Sequence, residues 1–173
     1  MPKLPVCPLC GYKKVQPADS FYHCPECLSD FGRQPHSDDG EPMVDAVTGL
    51  RFRYGDFISG SVRLRFAQEG DNCLYEVYDA NEGGIDKYAD LLSLEEWMAL
   101  KKVLLEDLYV YDWEKLYIPV NDGRKVLGNN EWEFSVIVSD DEEYTYRGFD
   151  AYPVYWDKFL VVLEPFFRKL EQH

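Results

Sequence analysis

Ser61-Val62-Arg63-Leu64-Arg65-Phe66 alternates without a break. Val62, Leu64 and Phe66 fall on one face of an extended chain, the pattern of a half-buried strand. Gln68-Glu69-Gly70-Asp71-Asn72 has turn chemistry, and Cys73-Leu74-Tyr75-Glu76-Val77-Tyr78 returns as its partner. A loop through Glu82-Gly83-Gly84 then leads to a helix. Ser93 caps it and Glu96 answers from the third helical position, a capping box. Leu94, Trp97, Met98, Leu104, Leu105 and Leu108 form its apolar stripe. Lys101 also falls on that stripe and is expected to snorkel out of it.

The same order recurs further on. Glu131-Trp132-Glu133-Phe134-Ser135-Val136-Ile137-Val138 alternates, with Trp132, Phe134, Val136 and Val138 inward. Ser139-Asp140-Asp141-Glu142-Glu143 reads as a solvated hairpin tip. Tyr144-Thr145-Tyr146-Arg147-Gly148 reads as the return strand. A closing helix is expected from about Pro153 to Leu163. Pro165 should kink or stop it, leaving Phe166, Phe167 and Leu170 for a last docked turn. Residues 109–128 read either as a prolongation of the first helix or as an irregular aromatic segment, ended by Pro119 and Asp122-Gly123. The expected class is therefore α+β. An antiparallel sheet carries two helices in ββα-ββα order, over residues 51–173.

Upstream, Cys7-Pro8-Leu9-Cys10-Gly11-Tyr12 is answered by Cys24-Pro25-Glu26-Cys27. Each C-x2-C turn aims two thiolates at one ion, and two such turns complete a four-sulfur shell suited to zinc. Between them, Lys13 to Gln16 and Ser20 to His23 read as short strands around a Pro17-Ala18-Asp19 turn. Residues 1–33 thus form a zinc-ribbon hairpin, and His23 is a hairpin side chain outside a full shell. Residues 34–50, polar and rich in Pro and Gly at their start, read as a linker.

The knuckles resemble those of rubredoxin, with a gap nearer that of the rubredoxin-like tails of rubrerythrins. Leu4-Pro5-Val6-Cys7-Pro8-Leu9-Cys10, with Tyr22-His23-Cys24-Pro25-Glu26-Cys27, also resembles the N-terminal ribbon of alkylphosphonate-utilisation-type proteins. These likenesses cover about 30 residues and imply metal ligation. They keep iron open as an alternative to zinc, since both accept four thiolates. Asn129-Asn130-Glu131-Trp132-Glu133-Phe134, with Gly148-Phe149-Asp150-Ala151-Tyr152-Pro153, resembles the ending of small uncharacterised bacterial α+β proteins. That likeness implies a strand, a Gly-x-x-Ala-Tyr-Pro turn and a final helix. A Cys-Pro-x-Cys ribbon beside such a domain is similar to bacterial cysteine-rich proteins of immunity and stress loci.

The totals bound the function. The 173 residues carry a net charge of −14, with 13 Tyr, 10 Phe and 4 Trp. Four basic and three acidic side chains lie in the first 36 residues, leaving a balance of −15 for the rest. So acidic a domain repels nucleic acid and anionic lipid, and suits solubility or a basic protein partner. Only the ribbon, through Lys3, Lys13, Lys14 and Arg33, offers a nucleic acid any basic surface. Four of five cysteines are paired by motif, and Cys73 is left over, the usage of a cytosolic metal protein. Neither a leader nor a membrane-spanning apolar run is legible.

Catalysis is not legible either. Cys73 sits on a strand with three histidines remote from it in sequence, and reads as a buried structural thiol. No second redox centre accompanies the cysteines. Arg147, Phe149, Asp150 and Tyr152 remain as candidate binding residues in an aromatic turn suited to protein recognition. The expected function is a non-enzymatic, zinc-containing cytoplasmic protein that binds a protein partner in a regulatory or immunity-like role. Nucleic-acid binding through the ribbon, a rubredoxin-like electron carrier and an enzyme of unrecognised type are the alternatives.

Overall fold

The computed structural model describes residues 4–56, 60–81, 84–118 and 130–171. Lys3, Glu82-Gly83, Pro119 and Asp122-Gly123 lie outside them. The chain is a mixed α+β structure with two sheets. Three short strands, β1 (Gln16–Pro17), β2 (Tyr22–His23) and β3 (Asp30–Phe31), make a small antiparallel sheet in the order β1-β2-β3. A short helix α1 (Met43–Ala46) follows.

The large sheet comprises β4 (Gly49–Asp56), β5 (Gly60–Glu69), β6 (Asn72–Asn81), β7 (Gly84–Ser93), β8 (Leu116–Tyr117), β9 (Glu131–Ser139) and β10 (Glu142–Phe149). Its order is β7-β6-β5-β4-β9-β10-β8. All pairs are antiparallel except β8 on β10, which is parallel. Helix α2 (Leu94–Lys102) leaves β7 directly, and α3 (Trp156–Glu171) closes the chain.

The observed order departs from ββα-ββα in specific places. Four strands, not two, precede α2. β4 holds an alternation of its own, Leu50-Arg51-Phe52-Arg53-Tyr54, whose inward members pack in the core. β7 occupies the stretch read as a loop. As an edge strand it buries almost nothing but Leu92, so it shows no apolar alternation to read. The stretch from 34 to 50 is built into the domain. Met43 and Val47 are fully buried in the main core, and Met43 N–H donates to Pro35 O at 2.8 Å.

Pro165 stands inside α3 without ending it. The reason is tertiary. Beyond the proline, Phe166 packs against Phe66 and Tyr75, and Phe167 against Phe52. Pro165 lacks the N–H that would bond Val161, and Val161 lies on the exposed side of the helix, where water can serve its carbonyl. After α2 the chain first widens into one π turn, Val103–Asp107, and then tightens into a 3-10 turn, Val110–Asp112, entered through Tyr109 in the left-handed region. This sets Trp113 in the core with its indole N–H on Leu108 O at 2.9 Å. The irregular aromatic reading of this segment is the observed one up to Ile118.

Two polar side chains are placed otherwise than expected. Glu142 is not a solvated tip residue. It is buried, accepts from Asp38 N–H at 3.1 Å, and accepts a hydrogen bond from the Tyr144 hydroxyl at 2.6 Å. Lys101 does not snorkel. It is 2% exposed and its ammonium donates to Val47 O at 3.0 Å. Burial lowers its pKa, and Asp45 opposes that shift. A lysine with a folded pKa below its unfolded one binds fewer protons folded than unfolded. Its penalty is complete below the folded pKa and fades as pH rises toward the ordinary lysine range, near about 10.4. Relative to Lys101→Met, the parent should therefore gain stability as pH rises toward that range. The buried tyrosines titrate alike in both proteins, so the difference between their urea midpoints across parallel pH titrations isolates the lysine and its coupling to the buried Cys73.

The core lies on one face of the sheet. Phe52, Leu64, Phe66, Val77, Trp132 and Phe134 point to it, beneath α2, α3 and the turns between α2 and β8. The other face carries the alternate residues, and no described element covers it.

Candidate metal centre

The two C-x2-C turns are built alike. Cys7 N–H bonds Tyr12 O at 2.9 Å and Gly11 N–H bonds Cys7 O at 2.9 Å. In the second turn, Cys24 N–H bonds Ser29 O and Leu28 N–H bonds Cys24 O, both at 2.8 Å. Gly11 (φ 84°) and Leu28 (φ 63°) therefore hold equivalent left-handed positions. Glycine does this freely, whereas an L side chain costs roughly 1–2 kcal/mol there. Leu28 is 76% exposed and gains little from packing. Leu28→Gly should stabilise this module by about 0.5–1 kcal/mol, after glycine's greater unfolded-state entropy is set against the relieved strain. A higher thermal midpoint would show it, and Gly11→Leu should move the midpoint the opposite way.

These turns bring the four sulfurs of Cys7, Cys10, Cys24 and Cys27 within 4.8 Å of one another. Cys7 Sγ lies 3.7 Å from Cys27 Sγ, and Cys10 Sγ 3.5 Å from Cys24 Sγ. A tetrahedral zinc with bonds of about 2.3 Å sets its sulfurs roughly 3.8 Å apart, so the cluster is of the right size. Ferric or ferrous iron fits the same four thiolates. Cys7 and Cys24 are fully buried, Cys27 is half-buried and Cys10 is exposed. Burial raises the Cys7 thiol and pushes Cys10 up to about 12, while hydrogen bonding from Ser29 draws Cys27 down to about 7. Four crowded thiols resist joint ionisation, and a cation at their centre is what makes four thiolates compatible. Four thiolates around one ion fill a tetrahedral shell, the arrangement of a closed site.

The small sheet wraps this centre. His23 and Asp30 face each other across β2 and β3 with Nδ1 and Oδ1 2.7 Å apart, so the imidazole is engaged outside the cysteine cluster. The module is fastened to the rest at two places. The Tyr155 hydroxyl accepts from Val6 N–H at 3.0 Å and donates to Val6 O at 2.6 Å. Gly32 N–H donates to the Asp112 carboxylate at 3.0 Å, beside Phe31 set edge-on to Tyr109.

The remaining candidate residues do not converge. Arg147 and Phe149 are alternate residues of β10 on the uncovered face, opposite Glu133 and Glu131. Asp150, in the left-handed region, donates its N–H to Asn130 O at 2.9 Å and accepts from Asn130 N–H at 3.2 Å. Tyr152 lies tilted against Trp156 on the core side, ring centroids 5.0 Å apart, and burial pushes its phenol up to about 12. Trp132 Nε1 donates to Ala151 O at 2.9 Å across Gly148, where a Cβ would stand 2.3 Å from that nitrogen. Cys73 is fully buried, with its thiol pushed up to about 11, and stays out of any cluster.

A second feature escaped notice in the sequence. Arg51, Arg53, Arg63 and Arg65 line a shallow concavity of about 570 Å³ on the uncovered face, with Tyr78 and Ile85 at its edge. Its sequence signal is a pair of arginines two residues apart on each strand, with a core residue between them, local basic charge inside a strongly acidic total. Set against known protein families, characterised proteins and solved structures, the chain matches none.

Proposed function

We propose that the chain is a non-enzymatic, zinc-containing binding protein of regulatory or immunity-like role, with its zinc structural and a protein as its partner. The supporting observation is the one-sided sheet. Helices cover one face, and no described element covers the other. Seven strands about 4.8 Å apart and eight to ten residues long in their main members offer roughly 800 Å². That is about one partner's share of a standard protein interface. Ile85 and Leu91, 73% and 56% exposed on β7, add apolar anchors to a face carrying arginine and tyrosine, the residues that dominate binding energy. Zinc keeps the N-terminal module folded against Tyr155 and Tyr109.

The test compares capture from native lysate by the zinc-loaded protein and by its Ile85→Glu, Leu91→Glu variant. A defined protein retained by the first and lost by the second supports the reading. Equal recovery by both, or recovery of no protein, removes it. An electron-carrying role is favoured by one observation only, the exposed Cys10 edge of the sulfur cluster. A colourless protein with one zinc per chain excludes that role.

A further inference from the structure

The arginines of the uncovered face stand in a rectangle set by strand register. Arg51 is opposite Arg65 and Arg53 is opposite Arg63. Side chains in direct opposition are about 5 Å apart, and like charges there repel. Alternate residues along a strand are about 6.6 Å apart. Two of the four are answered from the other side. Arg51 pairs with Glu143, and Arg53 with Glu131 at 3.1 Å and Glu133 at 3.7 Å. Arg63 and Arg65 form no ion pair among the described residues. Their opposite numbers on β6 are Tyr78 and Glu76, and Glu76 is engaged by the Tyr78 hydroxyl. Among the described residues, then, two exposed guanidinium groups stand side by side without an ion pair, with only Glu76 across from Arg65, in a chain of net charge −14.

We propose that this face receives an extended acidic segment of the protein partner, with carboxylates on alternate residues lying over Arg63 and Arg65. The inference rests on the protein-binding reading above. An extended segment repeats its same-side residues at the spacing of Arg63 and Arg65, because both are strands. Each guanidinium fork takes a carboxylate in a bidentate pair. Tyr78 and Ile85, at the edge of the concavity, suit an apolar residue of the same segment. A nucleic acid fits less well. Its charge is continuous, so it must also cross Glu76, Glu133 and Glu143, whereas a peptide places carboxylates only where arginines await them.

The experiment uses the full zinc-loaded chain and a synthetic labelled peptide of about ten residues with glutamate at alternate positions. Its glutamine counterpart, a short oligothymidylate and inorganic pyrophosphate serve as competitors. The glutamate peptide should bind saturably and weaken with salt, and the glutamine peptide should not bind. Arg63→Gln with Arg65→Gln should lower affinity at least about tenfold, the scale of one lost charge-assisted hydrogen bond. Lys102→Gln, on the exposed side of α2, should leave affinity unchanged. The double variant should melt no lower than the parent at low salt, because it relieves a like-charge opposition. If it fails to fold, Arg63→Gln alone carries the test. Equal binding of both peptides, indifference to the arginine changes, or tighter binding of oligothymidylate or pyrophosphate overturns the inference. Should partner capture still depend on Ile85 and Leu91 while the acidic peptide fails, the inference falls and the protein-binding reading stands.

Discussion

Cys24→Ser releases the metal and unfolds the N-terminal module while the seven-stranded sheet stays folded. Cys24 is fully buried, and among the described residues it forms the module's small hydrophobic cluster with Cys7, Val15 and Phe31. So small a core cannot offset the entropy of ordering some thirty residues. A metal held by the four thiolates would supply the difference, since four-thiolate zinc binding is worth roughly 10 kcal/mol or more in modules of this size. A serine hydroxyl is a poor fourth ligand, so most of that stabilisation is lost. The main core is a separate cluster of buried residues centred on the large sheet. In a nitrogen–proton correlation spectrum, the amides of Tyr22 and Phe31 should collapse to unfolded positions, while those of Phe66 and Phe134 keep their dispersion. Metal content should fall from one ion per chain to none. A variant that keeps both its metal and the dispersion of Tyr22 would show that the fourth thiolate is dispensable.

Phe159→Ala should cost the main domain about 3–5 kcal/mol. Phe159 is fully buried, and its ring centroid lies 5.0 Å from Phe134, 5.2 Å from Phe52 and 5.4 Å from both Trp113 and Trp156. It thus joins α3 to two neighbouring strands of the sheet and to the turn that follows α2. Truncation leaves a cavity bounded by rigid rings that cannot collapse into it. Domains of this kind are stable by only about 5–15 kcal/mol, so the loss is a large fraction of the whole. The urea midpoint should fall steeply with little change in slope. Val161→Ala, on the exposed side of the same helix, should move it hardly at all. Equal effects from the two changes would mean that α3 is not held by its apolar face.

How legible this structure was depends on where each element buries its residues. β5, β6, β9 and β10 bury every second residue and show it in plain alternation. The Ser93–Glu96 capping box forms as its residue types require, with Glu96 N–H on the Ser93 hydroxyl at 3.1 Å. The four cysteines converge as their spacing implies. β4 lies in the one stretch between the linker and Ser61 for which the sequence reading names no element, and Gly49 and Gly55 bound its alternation closely. β7 was missed because an edge strand needs no apolar face. The passage of α3 through Pro165 and the burial of Lys101 depend on partners more than fifty residues away, Phe66 and Val47 among them. Such contacts leave no local pattern. The arginine rectangle lies between the two: its alternation is local, but the opposition of its two sides is not. It exists only once β4 and β5 are in register.

The junction of β4 with β9 governs how the sheet must come together in time. β4 to β7 run as a meander between near neighbours in sequence, and β9 with β10 is a hairpin. The two pieces meet only where Phe52 faces Phe134, across some eighty residues of chain. Closing that loop is entropically expensive, so the seam is expected to form after both pieces exist. On the ribosome the meander emerges first and waits with β4 as a bare edge. Arg51 and Arg53 then serve as guards, because charge on an unpaired edge deters it from joining the edge of another nascent chain. The two arginines that the finished sheet pairs with Glu143, Glu131 and Glu133 would, during synthesis, have kept other edges away.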